Sequence, residues 1–453
     1  MKRISHTKIW LTLPWIVSLL IGTGRLQAKF TVVALPDTQN YSRNEMFPDY
    51  PNGIAEIYTA QTQWIVENQQ AKNIRFVCHL GDIVDSGPDT AQWQVADYAM
   101  SILDDAGIPY GTCLGNHDNH YGYGISPDTD PNATDYLAYF GPVRFAGRIW
   151  YRGCSPTQRS NYQVIEVEGK KLLFLNLSID TPQRELDWAQ QVLDQNRDKL
   201  AILSTHRYIY DFRILEGRYG DGVLGSDTYE ETELADEKYD PETIWPEQLF
   251  DTFIKTNPNI FLVLFGHCDG QYHQISENDK GLPVIEALAD YQDGPNGGNG
   301  WMRILEFDFD NGTVAFSAYS PTLGRQRTIV DDFMDTLLII NMYKDSLAEA
   351  VGLTELQKQL ILAQLRADVP AYTKAPELEA YLQQPDVQAY LTAEGMNYAW
   401  DGLWMEAFAD GSRDPSFVVA VDFDAYVESE QESLQQDLNQ AQIGAGEGFR
   451  AGL

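Results

Sequence analysis

Hydrophobic residues in this chain arrive in short blocks separated by polar, turn-rich stretches. Residues 30–35, 74–80, 108–114, 172–177, 200–204 and 260–265 are apolar runs. They are too short for buried helices and of the length expected of strands covered on both faces. Between them the spacing changes: Ile54, Ile57, Tyr58, Trp64 and Ile65 recur at helical intervals, as do Trp93, Ala96, Met100 and Leu103, and then Leu186, Ala189, Val192 and Leu193. The last of these helices has a readable start, with Thr181 as N-cap and Pro182 at the first helical position. Such alternation predicts an α/β layered domain. Beyond it, residues 283–288, 302–309 and 313–319 alternate apolar with polar and predict antiparallel strands closing a second sheet, with Asp310-Asn311-Gly312 as a hairpin turn. Two polar insertions, residues 121–160 and 211–245, leave from strand ends, where pocket walls are usually built. From about residue 330 the pattern turns helical: Leu353, Leu356, Leu360 and Ala363 share a seam, and Thr354 with Gln357 fits a capping box.

Composition refines this picture at the two ends. Lys2, Arg3 and Lys8 precede the apolar run 9–22, and Leu26-Gln27-Ala28 offers a cleavage site. Such a run is too short for a hydrocarbon core about 30 Å thick, so residues 1–28 are expected to be a signal peptide directing export, with no stable membrane insertion. The chain of 453 residues carries a formal charge of -34, and residues 330–453 hold 22 acids against 6 bases. Residues 29–325 are thus expected to form the main domain and 326–453 an acidic helical region. An acidic surface without a Lys and Arg stripe argues against nucleic acid as partner, and small phosphate esters suit it better. The cysteines Cys78, Cys113, Cys154 and Cys268 admit two disulfides or buried thiols, and no CxxC is present. Asp422, Asp424 and Tyr426 sketch a calcium loop, but Val427 stands where its turn needs Gly.

Polar residues collect directly after the apolar runs. Asp37 and Gln39 follow the first, Gly81, Asp82 and Asp85 the second, and Gly115, Asn116, His117 and Asp118 the third. His206 follows the fifth, and Gly266, His267 and Asp269 the sixth. Ligands of open α/β sheets bind beyond the carboxyl ends of strands, so these side chains are expected to converge. Any one of these acids could be a turn cap. Three histidines beside carboxylates at strand ends point instead to a metal site.

The order DTQ (37–39), GDIVD (81–85), GNHD (115–118), Thr205-His206 and GHCD (266–269) resembles the calcineurin-like metallophosphoesterases over roughly residues 29–323. The resemblance implies a β-sandwich flanked by helices in four layers, with mixed sheets. It implies a phosphate-ester hydrolase with two divalent metal ions and a bridging hydroxide. By its residue pattern Asp37 would bind the first metal and Asp82 would bridge both. Asn116, His206 and His267 would complete the second, and His117 would be the general acid, oriented by Asp85 through a hydrogen bond. Gln39 and Asp269 stand where the family commonly has histidine, leaving the first site only oxygen ligands: Asp37, Gln39, Asp82 and Asp269. Oxygen suits Mg, Ca or Mn, and the second set suits Mn, Fe or Zn, so a mixed or manganese-type centre is expected. Asn116, His117 and Arg207 are candidate phosphate contacts, Arg207 because a guanidinium can grip phosphate with two N–H groups. The exposed loop residue His120 is a weaker pocket candidate, and His79 and His273 read as structural. The same features leave room for a non-catalytic acidic binding module or a nuclease on the same scaffold. The residues carry no reading of oligomeric state.

Overall fold

The computed structural model describes residues 29–48, 50–119, 134–210, 217–218, 244–268, 270–329, 331–332, 385 and 413–427. The N-terminal segment 1–28, His120, Asp269, most of both insertions and most of the acidic tail, including its capping box, lie outside the described residues. In chain order the elements are β1 (Phe30–Leu35), α1 (Gln39–Arg43), α2 (Ala55–Asn68), β2 (Ile74–His79), α3 (Thr90–Ala106), β3 (Tyr110–Thr112), α4 (Thr134–Phe140) and β4 (Tyr151–Cys154). There follow β5 (Asn161–Val167), β6 (Lys170–Asn176), α5 (Gln183–Asp194), β7 (Leu200–Ser204) and a small ribbon of β8 (Ile209–Tyr210) with β9 (Gly217–Arg218). The remainder comprises β10 (Ile260–Phe265), β11 (Gly270–Glu277), β12 (Pro283–Asp290), β13 (Met302–Asp308), β14 (Thr313–Ser320), β15 (Arg325–Gln326) and β16 (Phe417–Ala420).

Two mixed seven-stranded sheets face each other. One runs β15-β14-β13-β1-β2-β3 with β16 also on β14, and the other β11-β12-β10-β7-β6-β5-β4. Phe30, Val32, Phe76, Phe174, Ile202 and Phe261 fill the space between the sheets, where Phe76 stacks on Phe174 at 3.6 Å between ring centroids. The alternate residues Val33, Leu35 and Val77 meet apolar residues of α2 and α3, and Leu173, Leu175 and Val263 meet those of α5. Each central strand is therefore apolar on both faces, which explains the unbroken hydrophobic runs. The result is four layers: helices, sheet, sheet, helices.

Several expectations need correcting. The α5 helix begins one residue later than its capping signal: Pro182 holds the N-cap position with ψ 160°, and Thr181 Oγ1 donates to the Ser178 carbonyl instead of capping the helix. Pro283–Asp290 pairs parallel with β10, and its antiparallel partner is β11, a strand without an apolar run. The strands at 302–308 and 313–320 complete the first sheet against β1. Their hairpin turn stands as expected, with Asp308 accepting from the Asn311 N–H at 2.9 Å. Residues 413–427, inside the region expected to be helical, supply β16 and a turn of 3-10 helix at Phe423–Tyr426. Phe423 and Tyr426 pack on Phe261 between the sheets, so the sandwich extends past the sequence boundary at residue 325. Asp424 pairs with Lys170 and Tyr426 is buried, an arrangement unlike a calcium loop. All four cysteines are free thiols.

Candidate metal centre

β1, β2 and β3 are parallel neighbours, as are β6, β7 and β10, and the polar residues after them meet at one rim of the sandwich. Close approach of backbone makes this possible. A Cβ on Gly115 would lie 2.3 Å from the Asp82 backbone N, so only glycine fits there, and one on Gly266 would lie 2.2 Å from Asp37 Oδ2 and push that carboxylate aside. Asp82 (φ 46°) and His267 (φ 71°) both occupy the left-handed region that side-chain-bearing residues avoid, and such strain concentrates at functional sites.

Asp82, His206 and His267 bring ligand atoms within 4.8 Å of one another. His206 Nδ1 donates to the Leu80 carbonyl at 2.8 Å, which turns the Nε2 lone pair of the neutral ring toward Asn116 Oδ1 at 3.1 Å and Asp82 Oδ2 at 3.2 Å. Three acceptors facing one another are reconciled by a proton or a cation. Asp37 lies beside this group, accepting from the His267 N–H at 3.2 Å. Burial, Asp290 and Asp82 push the Asp37 carboxyl well above the usual carboxylate range. Burial opposes ionisation of Asp82 as well, but His206 and His117 hold its carboxyl below that range. Burial lowers the basicity of His267, reinforced by His206 and Arg207.

Gln39 is buried, and among the described residues its Oε1 has no hydrogen-bond partner. An orphaned buried amide oxygen two residues after Asp37 matches the ligand expected there, so the residues present fit a pair of divalent cations. Asp269, the remaining expected ligand, lies outside the described residues.

His117 and Asp85 do not meet as expected. His117 Nδ1 hydrogen-bonds the Asp85 backbone carbonyl at 2.9 Å, whereas the Asp85 carboxylate is 3.5 Å from it and 3.3 Å from Arg43 Nη1. The carbonyl fixes the imidazole tautomer, and the carboxylate adds only its field. The His117 backbone N–H donates to Asp82 Oδ1 at 2.9 Å, coupling the two residues through main chain. Arg207 is also reassigned: its Nε and Nη2 grip Asp180 at 3.0 and 2.6 Å in a buried pair against the Trp245 ring, so phosphate would have to compete with a carboxylate already in place.

Sequence reasoning placed Asp118 after the third apolar run but assigned it no role. Asp118 accepts from the Gly115 and Val84 N–H groups at 2.8 and 3.0 Å, tying the loops after β2 and β3 together. Burial, with repulsion from Asp82, pushes its carboxyl up to about 8. His79 Nδ1 accepts from the Gly81 N–H at 3.3 Å while Nε2 meets Thr38 and Tyr58, a structural role. Asp180 and Asp290 were missed, and neither carries a local motif that could have signalled it.

The described rim holds one candidate metal group, Asp82, His206 and His267, of the kind phosphoesterases carry. The family model for calcineurin-like phosphoesterase matches residues 30–269, and the chain belongs to that family. It is 34% identical over 298 residues to the "Uncharacterized protein YvnB" of Bacillus subtilis (strain 168), a match covering 64% of this chain and 20% of that protein. Among solved structures it resembles the purple acid phosphatase PPD1 from yellow lupin (Lupinus luteus), at 13% identity and TM-score 0.39 over 66% of this chain and 53% of that one. It also resembles a dimetal phosphatase from Danio rerio, at 11% identity and TM-score 0.36 over 64% and 96% of the two chains.

Proposed function

We propose that this chain hydrolyses small phosphate esters with two divalent metal ions. The observation that carries the reading is the convergence of Asp82, His206 and His267 within 4.8 Å, with Asn116 against His206 and His117 hydrogen-bonded next to Asp82. Asp82, Asn116, His206 and His267 would hold one ion, and Asp37, Gln39, Asp82 and Asp269 the other. When bound, such ions stabilise charge on phosphoryl oxygens and activate water at neutral pH. His117 has its Nδ1 committed to the Asp85 carbonyl, which assigns proton delivery to the leaving oxygen to Nε2. Asp180 holds Arg207, and the Leu80 carbonyl holds His206, so the ligand-bearing loop after β7 is anchored on both sides. Three carboxylates against two divalent ions leave little positive field for a phosphate dianion, so singly charged diesters are the favoured substrates. The basic and apolar pattern of residues 1–28 supports export as part of the same reading.

The test is hydrolysis of bis(p-nitrophenyl) phosphate and p-nitrophenyl phosphate with manganese. We expect faster turnover of the diester, and a fall in kcat of about 10²–10⁴-fold for His117→Ala with manganese content retained, the usual range for loss of a general acid. Manganese-loaded protein without turnover of either ester would replace the enzyme with a binding module. A strong monoester preference would remove the charge argument.

A further inference from the structure

Asp290, the last residue of β12, is fully buried, and among the described residues no cationic side chain pairs with it. Among the described residues its oxygens accept from Gln292, at 2.9 Å from the backbone N–H and 3.0 Å from Nε2. A buried carboxylate with no counter-charge costs several kcal/mol unless a proton or a cation neutralises it. Its place in the fold indicates which. In the ladder between β11 and β12 it stands opposite Gly270, the residue after Asp269. The turn that follows it is tied to α1 by Asn40 Nδ2, which donates to the Gln292 carbonyl at 2.9 Å. β12 runs parallel beside β10 with Leu288 opposite Phe265, so Asp290 ends beside the turn of Gly266 and His267, whose N–H donates to Asp37. Two amide oxygens of these same segments, Gln39 Oε1 and Gln292 Oε1, are buried and without partners among the described residues.

We propose that Asp290 is a further anionic residue of the Asp37 metal position, making that position rich in carboxylate and amide oxygen and selective for a hard divalent cation such as magnesium or manganese. The proposal rests on the two-metal reading and adds a residue that the strand-end motifs do not contain. It also raises the negative charge at the centre, in line with a diester substrate. Asp290→Asn isolates the charge, because asparagine keeps the acceptor that caps the turn at Gln292. Isothermal titration of the metal-free full chain with manganese should show two ions in the wild type. In Asp290→Asn, one affinity should be unchanged and the other about 10-fold weaker or more, the scale on which groups supporting a metal site act. Magnesium binding should be weakened with it. Two ions of unchanged affinity in Asp290→Asn would overturn the role of Asp290 alone, whereas fewer than two ions in the wild type would overturn the metal-centre reading beneath it. Should Asp290→Asn fail to fold, Asp290→Glu, which keeps the charge but moves it by one methylene, should weaken the same ion, and unchanged affinities there would also overturn the assignment.

Discussion

His79 shows how a residue with no chemistry of its own constrains the centre. Burial, with His206 adding repulsion, lowers its pKa to about 3. Above pH about 6.5 it is neutral in both the folded and unfolded chain; below that the unfolded chain binds a proton that the folded one refuses, so stability falls as pH drops from about 6.5 toward 3. Urea unfolding between pH 7 and 5 should show wild type losing about 1.4 kcal/mol per pH unit more than His79→Gln below pH 6.5, and parallel profiles would remove His79 from the account. The site residues differ in how visible they were. Asp37, Asp82, His117, His206 and His267 were legible because each follows a buried strand within a few positions, where local order and three-dimensional position coincide. Arg207 was given to phosphate for its paired N–H groups, and its actual partner Asp180 went unseen because it lies 27 positions away in the chain. Asp290 was invisible because it ends an alternating strand and reaches the rim only through the pairing of β12 with β10.

At the scale of elements, the strands covered on both faces were readable and the others less so. β1 and β10 are buried at every position and announce themselves as apolar runs. β11, with the sequence GQYHQISE, is an edge strand that is half exposed and has no such run. Alternation in 283–288 identified a strand but not its direction, because a period of two is the same in parallel and antiparallel ladders. The junctions after these strands matter most for the site. Gly266→Ala places a methyl 2.2 Å from Asp37 Oδ2 without altering backbone preference elsewhere. It should displace that carboxylate and weaken the ion at the Asp37 position by at least about 10-fold in a manganese titration, the scale of a disturbed metal shell. Unchanged affinity would mean Asp37 is not a ligand.

The described residues form a sandwich whose edge is finished by residues distant in sequence. Arg413 Nε binds Asp332 at 2.9 Å, Arg327 Nη2 binds it at 3.3 Å, and Gln271 Nε2 donates to the Arg413 carbonyl at 2.8 Å, all of them buried. Removing one partner of a buried pair commonly costs about 3–5 kcal/mol, so Arg413→Ala should lower the unfolding free energy by that order in urea titrations, and a loss below about 1 kcal/mol would make the contact incidental. Composition alone could not locate this join, because an acidic, helix-like pattern says nothing about which short stretch returns to the sheet. Everything functional here depends on folding having gathered a pair of cation positions at one rim. Anomalous diffraction at the manganese edge from crystals grown with manganese tests that directly. Two peaks are expected, one among Asp82, Asn116, His206 and His267 and the other beside Asp37 and Gln39; their absence, or peaks confined to other parts of the surface, would contradict the account.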